Sequence, residues 1–267
     1  MMSALIALLT DFGNRDSYVG VMKGVIARIA PGVQVIDLLH EVRPQSVSHA
    51  AYALYMAVPY FPTGTIFCCV VDPGVGSERL AVAAEIGEWT FILPDNGIVT
   101  RVLDHWPAHR AVSLSNPTYQ LPHPSFTFHG RDIFAPAAAH LTMGVPLEAL
   151  GEAIAVEALQ RLDLPTTYTE ENHVSGSVMH VDHFGNLITT ISQAHLGQQR
   201  DWQIHLAGME MVLSEISTTF ADVPPGQPVA YIGSDGFLEL AIRNSSAAAL
   251  WGCNVGTEVW AERKEGD

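Results

Sequence analysis

The hydrophobic rhythm of this 267-residue chain changes once, near residue 162. Before that point, short apolar runs alternate with stretches of helical period. Two runs, Ala4–Leu9 and Ile66–Val71, have six residues each and no polar alternation. A continuous run of that length suits a strand buried on both faces, and such strands need crossover helices between them. Strands are expected over Ala4–Leu9, Val33–Leu38, Thr65–Val71, Leu80–Ile86 and Thr90–Leu93. Helices are expected over Tyr18–Ile29, Ser46–Val58, Gly97–His105 and Ile133–Leu141. That succession predicts an α/β layer around a mainly parallel sheet.

The stretch DLPTTYTEEN, residues 163–172, has no apolar period, and a linker is expected over about 162–171. Beyond it the pattern becomes short strands between turns: Val174–Val181, Leu187–Ile191, Trp202–Leu206, Met209–Val212, Val229–Ile232, Leu238–Ile242 and Glu258–Ala261. Turns such as Pro224-Pro225-Gly226 and Ser234-Asp235-Gly236 punctuate them, as in a small β-barrel. The expected organisation is an N-terminal α/β domain over 1–165 and a smaller all-β barrel domain over 172–267.

Composition limits the function classes. With 28 Asp+Glu against 13 Lys+Arg the formal net charge is −15, a poor match for a nucleic-acid binder that must pair with phosphates. Hydrophobic residues make up 48% and charged residues 15%, which argues for a packed globular chain rather than a disordered one. No apolar run approaches the roughly 20 residues that span a bilayer. The N-terminus has no basic region before its apolar run, so it reads as a strand and not as a signal peptide. Cys68, Cys69 and Cys253 are expected as buried free thiols, which points to the cytoplasm. The twelve histidines show no zinc spacing, His180…His183 and His123…His129 included, so no metal is expected.

In an open parallel sheet, ligands bind beyond the carboxyl ends of the strands. Four polar clusters fall at such ends or in turns: Thr10-Asp11-Phe12-Gly13 with Asp16, Asp72-Pro73-Gly74-Val75-Gly76 with Arg79, Pro94-Asp95-Asn96-Gly97, and His129-Gly130-Arg131-Asp132. Each taken alone is also ordinary turn or cap chemistry. None matches a dinucleotide fingerprint or a P-loop.

Together, LLTDFG…DSYVGVMKG, VVDPGVGSER, LPDNG, FHGRDIFAP, VDHFGNLITT and GSDGFLELAIRN occur in one order across residues 8–247. In that order they resemble the S-adenosyl-L-methionine (SAM) hydroxide adenosyltransferases, the adenosine-forming SAM hydrolases, relatives of the fluorinating and chlorinating enzymes. The resemblance implies an α/β domain followed by a β-barrel, and a homotrimer with substrate held between subunits. It implies attack of water or hydroxide on C5′ of SAM, with SAM as substrate and no cofactor. The family's catalytic trio maps onto Asp72, Arg79 and His129. Asp11 corresponds to the acceptor of the ribose hydroxyls, and Asp16 is expected near the methionine amino group. Asp182, Phe184 and Asn186 match the DxFGN motif, with Phe184 stacking on adenine and Asn186 pairing with its edge. Ser234 stands at the methionine carboxylate position, and Arg243 and Asn244 where the backbone contacts adenine. Some relatives carry Asn-Ser where this chain has Gly233-Ser234, followed by an acid at Asp235.

Two other readings compete. A SAM-dependent halogenase would resemble the fluorinating relatives, yet those carry a long insertion after the second motif, where this chain has only residues 80–90 between Arg79 and Phe91. They also place Ser where Gly130 stands; a chlorinating variant shares the glycine. A non-catalytic SAM or adenosine binder is the other, although binding alone does not call for a charged trio around a water. Arg131 and Asp132 are left between a supporting role and a structural pair. Trp202, Trp251 and Trp260 read as barrel core or interface.

Overall fold

The computed structural model describes residues 5–263. Ala4 and the outer ends of both expected domains lie outside the described residues. The chain separates into two compact units, Met1–Leu162 and Asp163–Asp267.

The first unit is built on a seven-stranded sheet. Its strands are β1 (Leu5–Thr10), β2 (Gln34–Leu39), β3 (Ile66–Val70), β4 (Ala81–Ile86), β5 (Trp89–Pro94), β6 (Ala108–Ser113) and β7 (Ala153–Ile154), in the order β2-β1-β3-β5-β4-β6-β7. The β2-β1-β3-β5 portion is parallel, and β4, β6 and β7 extend it antiparallel. Helices α1 (Tyr18–Ile29) and α4 (Ala135–Thr142) cover one face; α2 (Val47–Ala57) and α3 (Thr100–His105) cover the other. In β1, Ile6 and Leu8 pack with Met22 and Ile26, whereas Ala7 and Leu9 pack with Ala50 and Leu54. Cys68 and Cys69 divide between the two faces in the same way. This two-sided burial is why both strands read as unbroken apolar runs.

The second unit forms an eight-stranded antiparallel sheet from β8 (Tyr168–Glu170), β9 (His173–Val181), β10 (Leu187–Ser192), β11 (Trp202–Leu206), β12 (Val212–Leu213), β13 (Pro228–Ile232), β14 (Phe237–Ile242) and β15 (Glu258–Arg263). The order is β12-β11-β15-β9-β10-β14-β13, with β8 added on β9. The two ends approach each other, and Ser217 bridges to Tyr231, so the sheet nearly closes around Val178, Leu187, Trp202, Leu240 and Val259. Short helices α5 (Gln193–Leu196) and α6 (Ala247–Trp251) fill its connections. Trp202 is core, Trp251 packs partly against it, and Trp260 stacks on His205 with ring centroids 5.1 Å apart.

Several elements differ from the sequence reading. The polar stretch 162–171 is not free: Leu162 N–H donates to Thr100 Oγ1 at 2.8 Å, and Tyr168–Glu170 pairs with β9 as an exposed strand. An edge strand wet on both faces has no apolar signature to detect. The strand expected over Met209–Val212 shrinks to β12, because residues 207–208 turn there. The helix expected over Ile133–Leu141 begins earlier, as a π-helical turn Gly130–Phe134 leading into α4.

No helix among the described residues is long and apolar enough to cross a membrane. Burial pushes the Cys68 thiol up to about 12, so it stays protonated and poorly nucleophilic.

Candidate active site

In the first unit the site grows from the carboxyl ends of two neighbouring parallel strands. Thr10, the last residue of β1, is in register with Val70, the last of β3, so Asp11 lies one residue and Asp72 two residues beyond that paired position on adjacent strands. β1 has β2 on one side and β3 on the other, so the chain diverges there, which is where an open α/β sheet leaves a crevice. A cavity of about 200 Å³ opens at this point, lined by Asp11, Asp72 and His129 together with Phe12, Val75 and Phe128. Phe12, Tyr18 and Phe128 pack edge to face as an aromatic wall, with centroids 5.2–5.8 Å apart.

Arg79 ties the polar residues together. Its Nε donates to both Asp72 oxygens, at 2.9 and 3.1 Å, and its Nη2 donates to Asp72 Oδ2. Nη2 also reaches His129 Nδ1 at 2.8 Å. A guanidinium can only donate, so Nδ1 accepts and the neutral ring carries its proton on Nε2. Burial, and then the Arg79 charge, push His129 below its ordinary value; the Asp72 and Asp132 charges and a hydrogen bond with the Ser125 backbone pull the other way. The Asp72 and Arg79 side chains are only 5% and 11% exposed, and Arg79 lies 5.4 Å over the Phe134 ring. Buried in this way, the pair is held in one geometry.

Asp11 has one oxygen occupied: Oδ2 accepts from Gln45 N–H at 2.8 Å. Asp16 is exposed in the turn before α1 and does not line the cavity. Arg131 and Asp132 form a bidentate pair at 2.6 and 2.9 Å. Asp132 Oδ2 also accepts from Ser125 N–H and Oγ–H, both at 2.8 Å, so this pair organises the loop that carries His129. Asp95 and Asn96 are turned to structural use: Asp95 accepts from Gln160 N–H at 2.8 Å, and Asn96 Nδ2 donates to Val71 O at 2.9 Å.

The second unit has its own concave site. Phe184, Asn186, Arg243 and Asn244 line a hollow of about 730 Å³ with Phe220 and Ser246. Phe184 is 73% exposed there, with the His183 ring edge to face at 5.6 Å. The Asp182 carboxylate is consumed by its own loop: Oδ1 accepts from Phe184 N–H at 2.9 Å and Asn186 N–H at 2.8 Å, and Oδ2 from Asn186 Nδ2 at 2.8 Å. Gly185 has φ +83°, and an added Cβ there would collide with Ser246. The Arg243 guanidinium donates to the carbonyls of Val223 at 2.6 Å and Ala221 at 3.2 Å. Both bonds use Nη1, which is thereby held against residues 221–223.

Ser234 is not brought to this hollow. It is exposed on the 233–236 turn, with Oγ 3.4 Å from Asp235 Oδ1. Beneath that turn Tyr231 donates to Glu239 at 2.5 Å. Burial, together with Asp182 and Asp235, holds the Glu239 carboxyl above its ordinary range, against that hydrogen bond.

Sequence reasoning gave no role to Val75 and Phe128, although both stand in the motifs, and missed Thr127 in the first site and Thr219, Phe220 and Ala221 in the second. The latter had a signal: in Thr219-Phe220-Ala221-Asp222, Asp222 Oδ2 accepts from Thr219 N–H at 3.1 Å, a capping pattern. Among the described residues no group of three or more His, Cys, Asp or Glu is placed to hold a metal ion.

Residues 6–151 match the SAM hydroxide adenosyltransferase N-terminal domain, and residues 176–260 match the C-terminal domain of the same family. The chain belongs to the SAM hydroxide adenosyltransferase family. It is 44% identical over 264 residues to the (R)-S-adenosyl-L-methionine hydrolase of Thermus thermophilus, with 95% of this chain and 98% of that protein covered. A fluorinase of an Actinoplanes species is 32% identical over 276 residues, covering 92% of each chain. The crystal structure of an uncharacterized conserved protein from Thermotoga maritima superposes with a TM-score of 0.90 at 37% identity, over 97% of this chain and 100% of that one. The family's two domains therefore correspond to the two units that carry the two hollows.

Proposed function

We propose that this SAM hydroxide adenosyltransferase hydrolyses S-adenosyl-L-methionine to adenosine and methionine. The observation that carries the reading is Arg79 bound at once to Asp72 and to His129 Nδ1, with both partners lining the cavity that Asp11 also lines. The water oxygen bonds to C5′ while the C5′–S bond breaks, and its electron pair stays on sulfur. The leaving group is a neutral thioether, so the reaction calls for no general acid and no cofactor. What it needs is a water held in line and made partly anionic.

The fixed Arg79 charge favours the hydroxide form of a water bound beside it. Asp72 is an acceptor for a water proton. His129 has Nδ1 occupied by Arg79 and its ring N–H engaged by the Ser125 backbone, so it cannot take that proton. Asp11 keeps Oδ1 available toward a vicinal diol, and Asp16 remains the candidate for the methionine ammonium. In the second unit, Phe184 supplies an open face for adenine and Asn186 an amide for its edge. Asp182 acts by shaping their loop. Arg243 and Asn244 offer backbone, and Ser234 the carboxylate contact.

A halogenase is the second reading, because fluorinases are among the relatives. The room at Gly130 speaks against it. A Cβ there would lie 3.2 Å from Met22 Sδ and 3.3 Å from the Phe12 and Phe128 rings, which leaves little space for the serine of fluorinating relatives. We further propose a cytoplasmic homotrimer in which the half-site of one subunit's first unit is completed by a neighbour's second unit. Buried free thiols support the reducing compartment.

The test is turnover of SAM, as separate sulfonium epimers, in ¹⁸O-labelled water. Methionine together with adenosine labelled at its 5′ oxygen is the expected result. Unlabelled adenosine, or none, sinks the hydrolase reading; a 5′-halo product on adding chloride or fluoride establishes the rival.

A further inference from the structure

A buried hydrogen-bonded chain runs from the surface to the turn that carries Asp11. Lys23 Nζ lies 2.6 Å from Asp37 Oδ2, and Asp37 Oδ1 lies 2.9 Å from His40 Nε2. His40 Nδ1 lies 2.8 Å from Thr10 Oγ1, and Thr10 Oγ1 accepts from Phe12 N–H at 3.3 Å. The roles along this chain follow from what each group can do. An ionised carboxylate only accepts, so His40 Nε2 donates to Asp37. Nδ1 of the neutral ring must then accept, so the Thr10 hydroxyl donates to it. Thr10 Oγ1 keeps its lone pairs for Phe12 N–H. Every member has one role, and the direction runs unbroken from Phe12 to Asp37. Burial raises the Asp37 carboxyl, but the hydrogen bonds and charges of His40 and Lys23 outweigh it and hold it below its ordinary range.

The same histidine grips the turn a second time through its backbone, since Gly13 N–H donates to His40 O at 2.8 Å. Five residues on, Gln45, with φ +65°, aims its N–H at Asp11 Oδ2 from 2.8 Å. The 40–45 segment therefore holds both ends of the 10–13 turn and one oxygen of Asp11. His40 itself is 4% exposed and is not among the residues that line the cavity.

We propose that His40, locked in one tautomer by Asp37, is a positioning residue that sets the direction in which Asp11 presents its free oxygen to the cavity. The proposal rests on Asp11 being the acceptor for the ribose diol. It assigns to His40 and Thr10 a share of substrate affinity, and none of the bond-making chemistry.

The test compares binding of adenosine with that of 2′,3′-dideoxyadenosine by calorimetry, alongside KM and kcat for SAM, in the full-length protein. Thr10→Val and His40→Leu are expected to erase roughly tenfold of the preference for the diol, the scale of one misaligned charge-assisted hydrogen bond. The loss should fall on KM rather than kcat, and Thr10→Ser should rescue it. If His40→Leu does not fold, Thr10→Val and Thr10→Ser read the same contact from its other side. A wild type that prefers the diol, with variants that keep the preference, overturns the positioning role. Losses shared between kcat and KM also overturn it, since that is the mark of a generally loosened unit. A wild type with no diol preference removes the Asp11 reading beneath it.

Discussion

Arg79 has no acceptor atom, and that restriction propagates. Its contact with His129 Nδ1 persists only while that nitrogen is unprotonated, so proton uptake by the ring breaks the bridge to Asp72. His129 sits below its ordinary value because burial, then the Arg79 charge, disfavour the cation. A depressed histidine contributes its share of stability fully above the unfolded value and loses it as pH falls through the lower folded value. The catalytic arrangement follows the same sign: kcat/KM should hold through neutrality and fall on acidification, with an apparent pKa below 6.5. NMR titration of the His129 ring checks the assignment, and a ring titrating above its ordinary value contradicts it. Arg79→Lys keeps a positive charge but replaces a planar fork with a point donor, so it cannot serve Asp72 and His129 together. We expect kcat to drop roughly 100-fold, the scale of losing one preorganised donor, with Kd for SAM little altered. Equal losses in rate and affinity would contradict the roles assigned to the trio.

At the scale of elements, the loop 182–186 shows how much geometry one carboxylate can organise. Asp182 takes three hydrogen bonds from its own loop, and Gly185 closes it in a left-handed conformation against Ser246. Gly185→Ala should cost roughly 2–3 kcal/mol, from strained backbone and overpacking, and should displace Phe184. Thermal unfolding measures the first effect, and adenosine binding monitored through aromatic fluorescence measures the second. A variant with unchanged melting and binding refutes this account of the loop. Asp182 was legible as part of a motif, but its use inside its own turn was not, because a turn-forming aspartate and a ligand-binding one share a spelling. The doubly buried strands β1 and β3 were readable because burial on both faces leaves an unbroken apolar string. β6 (Ala108–Ser113) was not, since Ala-His-Arg-Ala-Val-Ser buries only a few side chains toward its inner end. The exposed β8 and the two-residue β12 left no periodicity to read. The trio was legible only as a set, since Asp72 and His129 are far apart in sequence and each alone is ordinary turn chemistry. Thr10 was legible only as part of its turn cluster and His40 escaped notice, because a buried Thr–His contact across 30 positions has no local pattern.

Across the whole molecule, the two hollows divide the labour: charged groups in the first unit, an aromatic face and an amide in the second. If neighbouring subunits complete each other's sites, mixing separately inactive Asp72→Ala and Phe184→Ala proteins under subunit exchange should restore part of the activity. Light scattering should give three times the chain mass, and a monomer with full activity would end the trimer reading. The acidic balance of −15 plays a smaller part, because salt screens distant charges. The register of Thr10 on Val70 has a different consequence. Asp11 and Asp72 follow the ends of adjacent strands, so under the proposed roles the span between the sugar's acceptor and the attacker's partner is anchored to the spacing of a β-sheet, about 4.8 Å per strand. Such a ruler does not stretch when loops change. On the proposed roles, a change at Gly130 or in the segment after Arg79 would leave that spacing untouched, so the sheet fixes where the sugar sits whatever species attacks it.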